Sequence, residues 1–376
     1  MNENGDRVHS EGEDSQEEYA NFIGELLQAE LDSDSDNKVI YPILKQRQHL
    51  LNARFAETLQ QVAENLRADQ NPETIELIVA FIEKLSIHIK NFPLGSRSNN
   101  IEIAITGYQI VLNNRQPGSE MFAQTQNNLA LAYSDRINGS RAENLEWAIK
   151  LYQAALTVRT LEDFREDWAM TQNNLATAYS DRINGSRAEN LERAIEFYEA
   201  ALTVRTIEDF PEDWAMTQNN LAVAYRNRIN GSRAENLERA IEFYEAALTV
   251  YTLEDFREDW AMTQNNLAAA YSDKINGSRA ENLERAIEFY EAALTVRTLE
   301  DFPFKNVGTL NNLGWAYLAK LDYINQEKPE DTNQKAATLQ SAYDTFKNAI
   351  AGAAQLRKLE SQNETKQKHD LQWDHW

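Results

Sequence analysis

A block of 46 residues recurs four times along this chain, almost letter for letter. It reads AMTQNNLATAYSDRINGSRAENLERAIEFYEAALTVRT from Ala169, returns from Ala215 and Ala261, and has an earlier copy starting at Ala123. Trp168, Trp214 and Trp260 mark the 46-residue spacing. A fixed period of this size predicts a solenoid, in which each unit buries its apolar face only against its neighbours. That displaces the two or three separate domains that 376 residues would otherwise suggest. Arrays of this kind present a long surface to a partner and rarely perform chemistry, so binding is the first expectation.

Each unit reads as two helices. The first is expected near Glu212–Arg228, with Pro211 at its start and carboxylates Glu212 and Asp213 in its first turn, where the helix dipole favours them. Asn230 and Gly231 tolerate the left-handed conformation that ends a helix. Ser232-Arg233-Ala234-Glu235 has capping-box spacing for the second helix, about Arg233–Tyr251. Leu237, Ala240, Ile241, Tyr244, Ala247 and Leu248 keep a three/four spacing on one face of it, with Glu238, Arg239, Glu242 and Glu245 on the other. The result is a helical hairpin with one buried stripe per helix, and the fold class is all-α.

The rest of the chain is placed around this array. Residues 1–36 hold twelve carboxylates against one arginine and read as an acidic, largely disordered leader with a short helix near Glu17–Leu31. A capping helix is expected within 37–71, over Val39–Ala68. Six repeats follow over 72–357: a divergent one at 72–120, then 121–166, 167–212, 213–258, 259–304 and 305–357. The sixth is expected to have a longer internal loop through Tyr323–Thr332 and a second helix near Gln334–Leu356. A further helix is expected to start within 358–376.

Leu175, Ala176 and Tyr179 on the first helix, then Ala194, Tyr198 and Ala201 on the second, resemble the signature of the tetratricopeptide repeat. Small residues stand where helices touch and rings where a gap must be filled. The standard unit has about 34 residues. Here Ala194 follows Tyr179 by fifteen positions, and the extra length of the 46-residue unit is divided between both connections. The resemblance implies a right-handed α-α superhelical solenoid of such hairpins. The long-loop form resembles more narrowly the repeats that precede CHAT domains, caspase-like modules with a His/Cys pair, in cyanobacterial and other bacterial proteins. With no cysteine, this chain cannot supply that nucleophile. The resemblance implies a non-catalytic sensor or regulatory half of a CHAT-type protease system.

It also implies where a partner sits. The first helix of each hairpin would line a concave groove. On the groove side the register puts the Asn pairs Asn127/Asn128, Asn173/Asn174, Asn219/Asn220, Asn265/Asn266 and Asn311/Asn312. In related peptide-binding domains the second asparagine holds peptide backbone, which carries over to Asn128, Asn174, Asn220, Asn266 and Asn312. An amide can pair with both groups of an extended backbone without reading its sequence. The alternative role is capping or cross-linking neighbouring hairpins. The four near-identical copies differ at Leu131/Thr177/Val223/Ala269 and Ser134/Ser180/Arg226/Ser272, so Thr177, Val223 and Arg226 join the candidate peptide-binding set. A rim pairing Asp135, Asp181 and Asp273 with Arg136, Arg182 and Lys274 hints at a partner with some basic residues. The competing reading of the whole chain is a structural oligomerisation rod without a peptide groove.

Other functions find little footing. The net charge of −23 argues against nucleic acid and anionic membrane partners. No apolar run reaches the length of a membrane helix, and MNENGDRVHSEGEDSQEE has no secretory-signal pattern. The lack of cysteine suits a cytoplasmic protein. The five histidines show no metal-ligand spacing, and no nucleotide, metalloprotease or cofactor motif occurs, so no catalytic residue, metal or cofactor is expected.

Overall fold

The computed structural model describes residues 13–33, 36–68 and 71–373. Among them are fifteen α-helices and no strand. The chain forms two compact units, residues 1–187 and 188–376.

The first unit holds α1 (Glu13–Ser33), α2 (Asn37–Gln46), α3 (Ala53–Ala68), α4 (Pro72–Asn91), α5 (Arg97–Asn114), α6 (Glu120–Asp135), α7 (Arg141–Ala155) and α8 (Arg165–Asp181). Most of the expected leader helix is part of the core. Tyr19, Phe22 and Leu26 of α1 are buried with Ile40 and Leu44 of α2, Phe55 and Leu59 of α3, and Ile82 and Leu85 of α4. The Phe22 and Phe55 rings meet edge-on at 5.6 Å. Glu17 and Glu18 occupy the solvent side of α1, so its acidity marks the outer face of an amphipathic helix. The remainder of the leader, residues 1–12, lies outside the described residues.

The single helix expected over Val39–Ala68 is broken by a 3₁₀ turn at Gln48–Leu50. Asn52 starts α3 afresh: its Oδ1 accepts from Arg54 N at 2.9 Å, and its amide donates to the Tyr19 hydroxyl at 2.8 Å. Leu50 and Leu51, at the break, are both buried in the core.

A buried polar junction joins α1, α2 and α4. His88 Nε2 lies 2.8 Å from Glu30 Oε1, and its Nδ1 lies 2.8 Å from Asn37 Oδ1. Burial and the charge of Lys84 pull the imidazole pKa down, and Glu30 opposes them, with burial the largest influence and the net direction downward. Tyr41 meets the ring edge-on. A histidine whose folded pKa is depressed favours the fold while neutral. Its contribution is therefore present above the unfolded value near 6.5 and is lost as pH falls through the folded value. The thermal midpoint is expected to drop between pH 7 and 5, and His88→Gln is expected to flatten that drop; an unchanged pH slope in the variant would assign it to other groups.

The second unit holds α9 (Arg187–Leu202), which begins at the boundary, α10 (Pro211–Asn227), α11 (Arg233–Ala247), α12 (Arg257–Asp273), α13 (Arg279–Leu294), α14 (Pro303–Glu327) and α15 (Thr332–Trp373). Tyr244 of α11 is fully buried among Leu267 and the small residues Ala222, Ala240 and Ala270, which let three helices close around one ring. Internal hydrogen bonds order the long connections. Gly231 takes φ +78°, Ser232 caps α11 by accepting from Glu235 N at 3.4 Å, and the buried Asn236 donates to Asn230 O at 2.9 Å. Arg233 bonds the carbonyl of Arg226. In the other connection Asp209 N donates to Thr206 Oγ1 at 3.2 Å, so the acidic pair Glu208/Asp209 belongs to a turn.

The sixth hairpin departs from expectation. Residues assigned to a long loop extend α14 to Glu327, leaving only 328–331 as the link. The further helix expected from 358 is a continuation of α15, which runs 42 residues without interruption.

Candidate partner-binding face

Within the first unit the first helices α6 and α8 lie side by side, and their asparagine pairs divide the work. Asn127 and Asn173 are 2% and 3% exposed. Asn127 Oδ1 accepts from Asn174 Nδ2 at 3.4 Å across the junction between hairpins. Asn127 therefore takes the cross-linking role, while Asn173 donates to its own neighbour Asn174 at 3.5 Å. Asn128 and Asn174 are half-buried. Asn174 and Thr177 line a cleft of about 140 Å³ together with Leu131, Ser134, Asp135, Arg141 and Asp181. Thr177 Oγ1 donates to Asn173 O at 3.1 Å, which turns its methyl toward the cleft, and Arg141 pairs with Asp181 at 3.2 Å.

The second unit repeats the arrangement. Asn219 is 2% exposed, and its Oδ1 accepts from Asn266 Nδ2 at 3.5 Å and from Thr263 Oγ1 at 3.3 Å. Asn220, Asn266 and Asn312 are half-buried, as are Asn265, Val223 and Arg226, whereas Asn311 is exposed. Arg226 and Arg233 both reach Asp273 Oδ2, at 3.1 and 3.4 Å, so the arginine unique to this copy converts a simple pair into a three-member cluster.

The rim pairs expected between adjacent residues are not formed. Asp135 is held by Lys90 at 2.8 Å and Arg97 at 3.6 Å. Arg136 instead makes a two-pronged bond to Glu102 of the preceding second helix, at 2.8 and 2.9 Å. Arg182–Glu146 and Arg228–Glu192 repeat that strap. The arginine hydrogen bond pulls the Glu146 and Glu192 pKa values down. Neighbouring residues on a helix end diverge in direction, so Asp135 and Arg136 reach different points of the same preceding hairpin: Asp135 meets Lys90 and Arg97 around its turn, and Arg136 meets Glu102 further along α5. Lys274 breaks the series: its Nζ lies over the Tyr271 ring at 5.3 Å, and Glu238 accepts from Asn276 instead.

A row of arginines at the ends of second helices escaped the sequence reading. Arg159 is 1% exposed and meets Glu120 at 2.8 Å and Asp167 at 3.3 Å. Arg205 meets Asp213 at 3.3 Å and donates to Thr217 Oγ1 at 3.0 Å. The replacement of this arginine by Tyr251 was the available signal: the tyrosine is buried, with its hydroxyl 3.4 Å from Glu212 O. Arg297 is 7% exposed and donates to Thr309 Oγ1 at 3.1 Å, but Lys305 stands where the earlier units have Asp167, Asp213 and Asp259.

The face therefore offers amides, hydroxyls, small apolar patches and compensated charges. Among the described residues no group of side chains could hold a metal ion, and no helix is long and apolar enough to cross a membrane. Residues 168–211, 214–248 and 260–296 match the tetratricopeptide-repeat family model, so the chain carries tetratricopeptide repeats. No curated protein matches the chain. Similar solved structures include BtubC (BKLC) from P. vanneervenii, 20% identical over 77% of this chain and 93% of that one, with a TM-score of 0.46. A Podosopora anserina kinesin light chain with nearly identical repeats is 16% identical over 62% of this chain and 100% of that one, with a TM-score of 0.41. The apo form of RapI is 12% identical over 90% of this chain and 98% of that one, with a TM-score of 0.47.

Proposed function

We propose that this chain is a non-catalytic scaffold whose repeats hold an extended peptide segment of a partner protein along their first helices. The supporting observation is the half-buried second asparagine, repeated as Asn128, Asn174, Asn220, Asn266 and Asn312, which in the first unit lines a cleft with Thr177. Asn174 and Asn266 each accept from the preceding asparagine at Oδ1 and donate across the junction from Nδ2, which holds the amide in place and leaves it a second N–H and a second lone pair for a peptide backbone. Changes among Leu131, Thr177, Val223 and Ala269 alter the apolar surface beside that amide, which supports selection among bound side chains. The net charge of −23 favours a partner segment with some basic residues.

The triple substitution Asn174→Ala, Asn220→Ala and Asn266→Ala is expected to weaken a captured partner peptide on the order of 100-fold, at about 1 kcal/mol for each of the three lost backbone pairs. Far-ultraviolet circular dichroism should remain helical. Unchanged partner recovery by a folded variant would refute the peptide-groove reading. A working site in the cytoplasm and a regulatory link to a caspase-like CHAT partner rest on the lack of cysteine and on the likeness of the 46-residue unit. Reading the frame past Trp376 for a His/Cys module tests that link.

A further inference from the structure

Repeat arrays normally close each end with a unit whose outer face is polar. In the first unit, α4 and α5 are covered on their outer side by α1, α2 and α3. Among the described residues, the sixth hairpin in the second unit has no such cover.

The comparison can be made position by position. In the fifth repeat, Ile287, Tyr290 and Leu294 of α13 pack against Leu313, Ala316 and Tyr317 of α14, the first helix of the next hairpin. In the fourth, Ile241, Tyr244 and Leu248 of α11 pack against Leu267, Ala270 and Tyr271 of α12. The first unit shows the same contact, from Ile105, Tyr108 and Leu112 to Leu129 and Ala132. The pattern A-x-x-x-Y-x-x-A at Ala286, Tyr290 and Ala293 reappears on α15 as Ala342, Phe346 and Ala349. This aligns Leu339, Tyr343 and Ile350 with Leu283, Ile287 and Leu294. Leu283 and Ile287 are 0% and 7% exposed, whereas Leu339, Tyr343 and Ile350 are 54%, 60% and 69% exposed. Trp315, 60% exposed, stands beside them, edge-on to Phe346 at 5.8 Å. Gly314 takes the place of Ala176, Ala222 and Ala268, and a Cβ there would come within 2.6 Å of the Phe346 ring. The glycine lets that ring pack under the indole.

We infer that this open face docks an amphipathic helix of a separate partner protein, of the same type as the first helix of these repeats: a small-residue and leucine stripe with an aspartate near its C-terminal end. Three junctions inside the chain specify that stripe at equivalent positions. The aspartate follows from Lys335, which aligns with Arg141 and Arg233, the residues that pair with Asp181 and Asp273 of the next first helix. Over 332–358, α15 carries Lys335, Lys347, Arg357 and Lys358 against Asp344, a basic patch on an acidic protein. Among the described residues none covers this face, and α15 runs on as helix to Trp373, about 35 Å past Ile350 at 1.5 Å per residue. Every first helix of a second copy is already packed within its own repeat.

The probe is a fluorescent, helix-stapled peptide of residues 257–275, the segment that covers α11 inside the array, added to the full chain. Stapling removes the cost of forming an isolated helix. Saturable binding is expected, weakened at least 10-fold by Tyr343→Glu or Ile350→Glu and about 2- to 5-fold by Asp273→Asn in the peptide. Both protein variants alter exposed side chains, and circular dichroism verifies that they stay folded. The triple asparagine variant should bind the probe unchanged, which separates this surface from the peptide groove. Absent binding, or binding indifferent to Ile350→Glu, overturns the proposal. A dimer in light scattering that Ile350→Glu dissolves also overturns it, in favour of a second copy on this face.

Discussion

Ile241→Ala is expected to lower stability by about 2–5 kcal/mol, and Tyr343→Ala by no more than about 0.5 kcal/mol, although the two residues hold the same position in their hairpins. Ile241 is 6% exposed, enclosed between α11 and α12. Removing its side chain loses transfer free energy and leaves a cavity that two rigid helices can close only in part. Tyr343 is 60% exposed, so its removal leaves no enclosed hole. Urea unfolding followed by helical signal measures the difference. Since repeat arrays lose cooperativity, hydrogen exchange of α11 and α15 amides should accompany it. A large loss in Tyr343→Ala would show that something already covers that end.

The second large effect concerns the buried arginines. Lys305→Asp is expected to stabilise the sixth hairpin by about 1.5–3 kcal/mol, the range of a hydrogen bond to a charged group. Burial pulls the Arg297 pKa down with no carboxylate to oppose it, whereas at Arg205 the same pull is opposed by Asp213 and Tyr251. A buried cation without a partner carries its desolvation cost uncompensated. Lys305 also pairs with Glu258, but both are about half exposed, and such a pair contributes little. By the same reasoning Arg297→Met should be neutral or stabilising, while Arg205→Met costs about 1–3 kcal/mol through the lost Asp213 and Thr217 partners. Equal losses in both methionine variants would mean that Arg297 finds its counter-charge elsewhere.

Much of the architecture could be read from the letters because the determinants are local. The cap at Ser232, the stop at Gly231 and the stripe through Tyr244 lie within one hairpin, and each formed where expected. What escaped depended on the neighbouring hairpin. Arg205 looks like a surface residue until the next first helix brings Asp213 and Thr217 beside it. Adjacent residues such as Asp135 and Arg136 look like a pair until each is seen to reach its own partner on the preceding hairpin, Lys90 and Glu102. The α1 carboxylates masked a buried stripe one turn apart, at Tyr19, Phe22 and Leu26. At the candidate site the spacing identified the asparagine pairs, but only packing separated the buried Asn127, Asn173 and Asn219 from the half-buried residues beside them.

The loop staples have a consequence for how such a chain changes length. Asn236 closes its loop on Asn230 from inside the same hairpin, and Asn282 does so on Asn276. The straps Arg182–Glu146 and Arg228–Glu192 join equivalent positions. Excising one 46-residue period therefore brings together partners of the same kind as those it removes. Unequal recombination between copies can shorten or lengthen the array by whole units without orphaning a buried group, so the number of repeats is open to selection as a quantity in its own right.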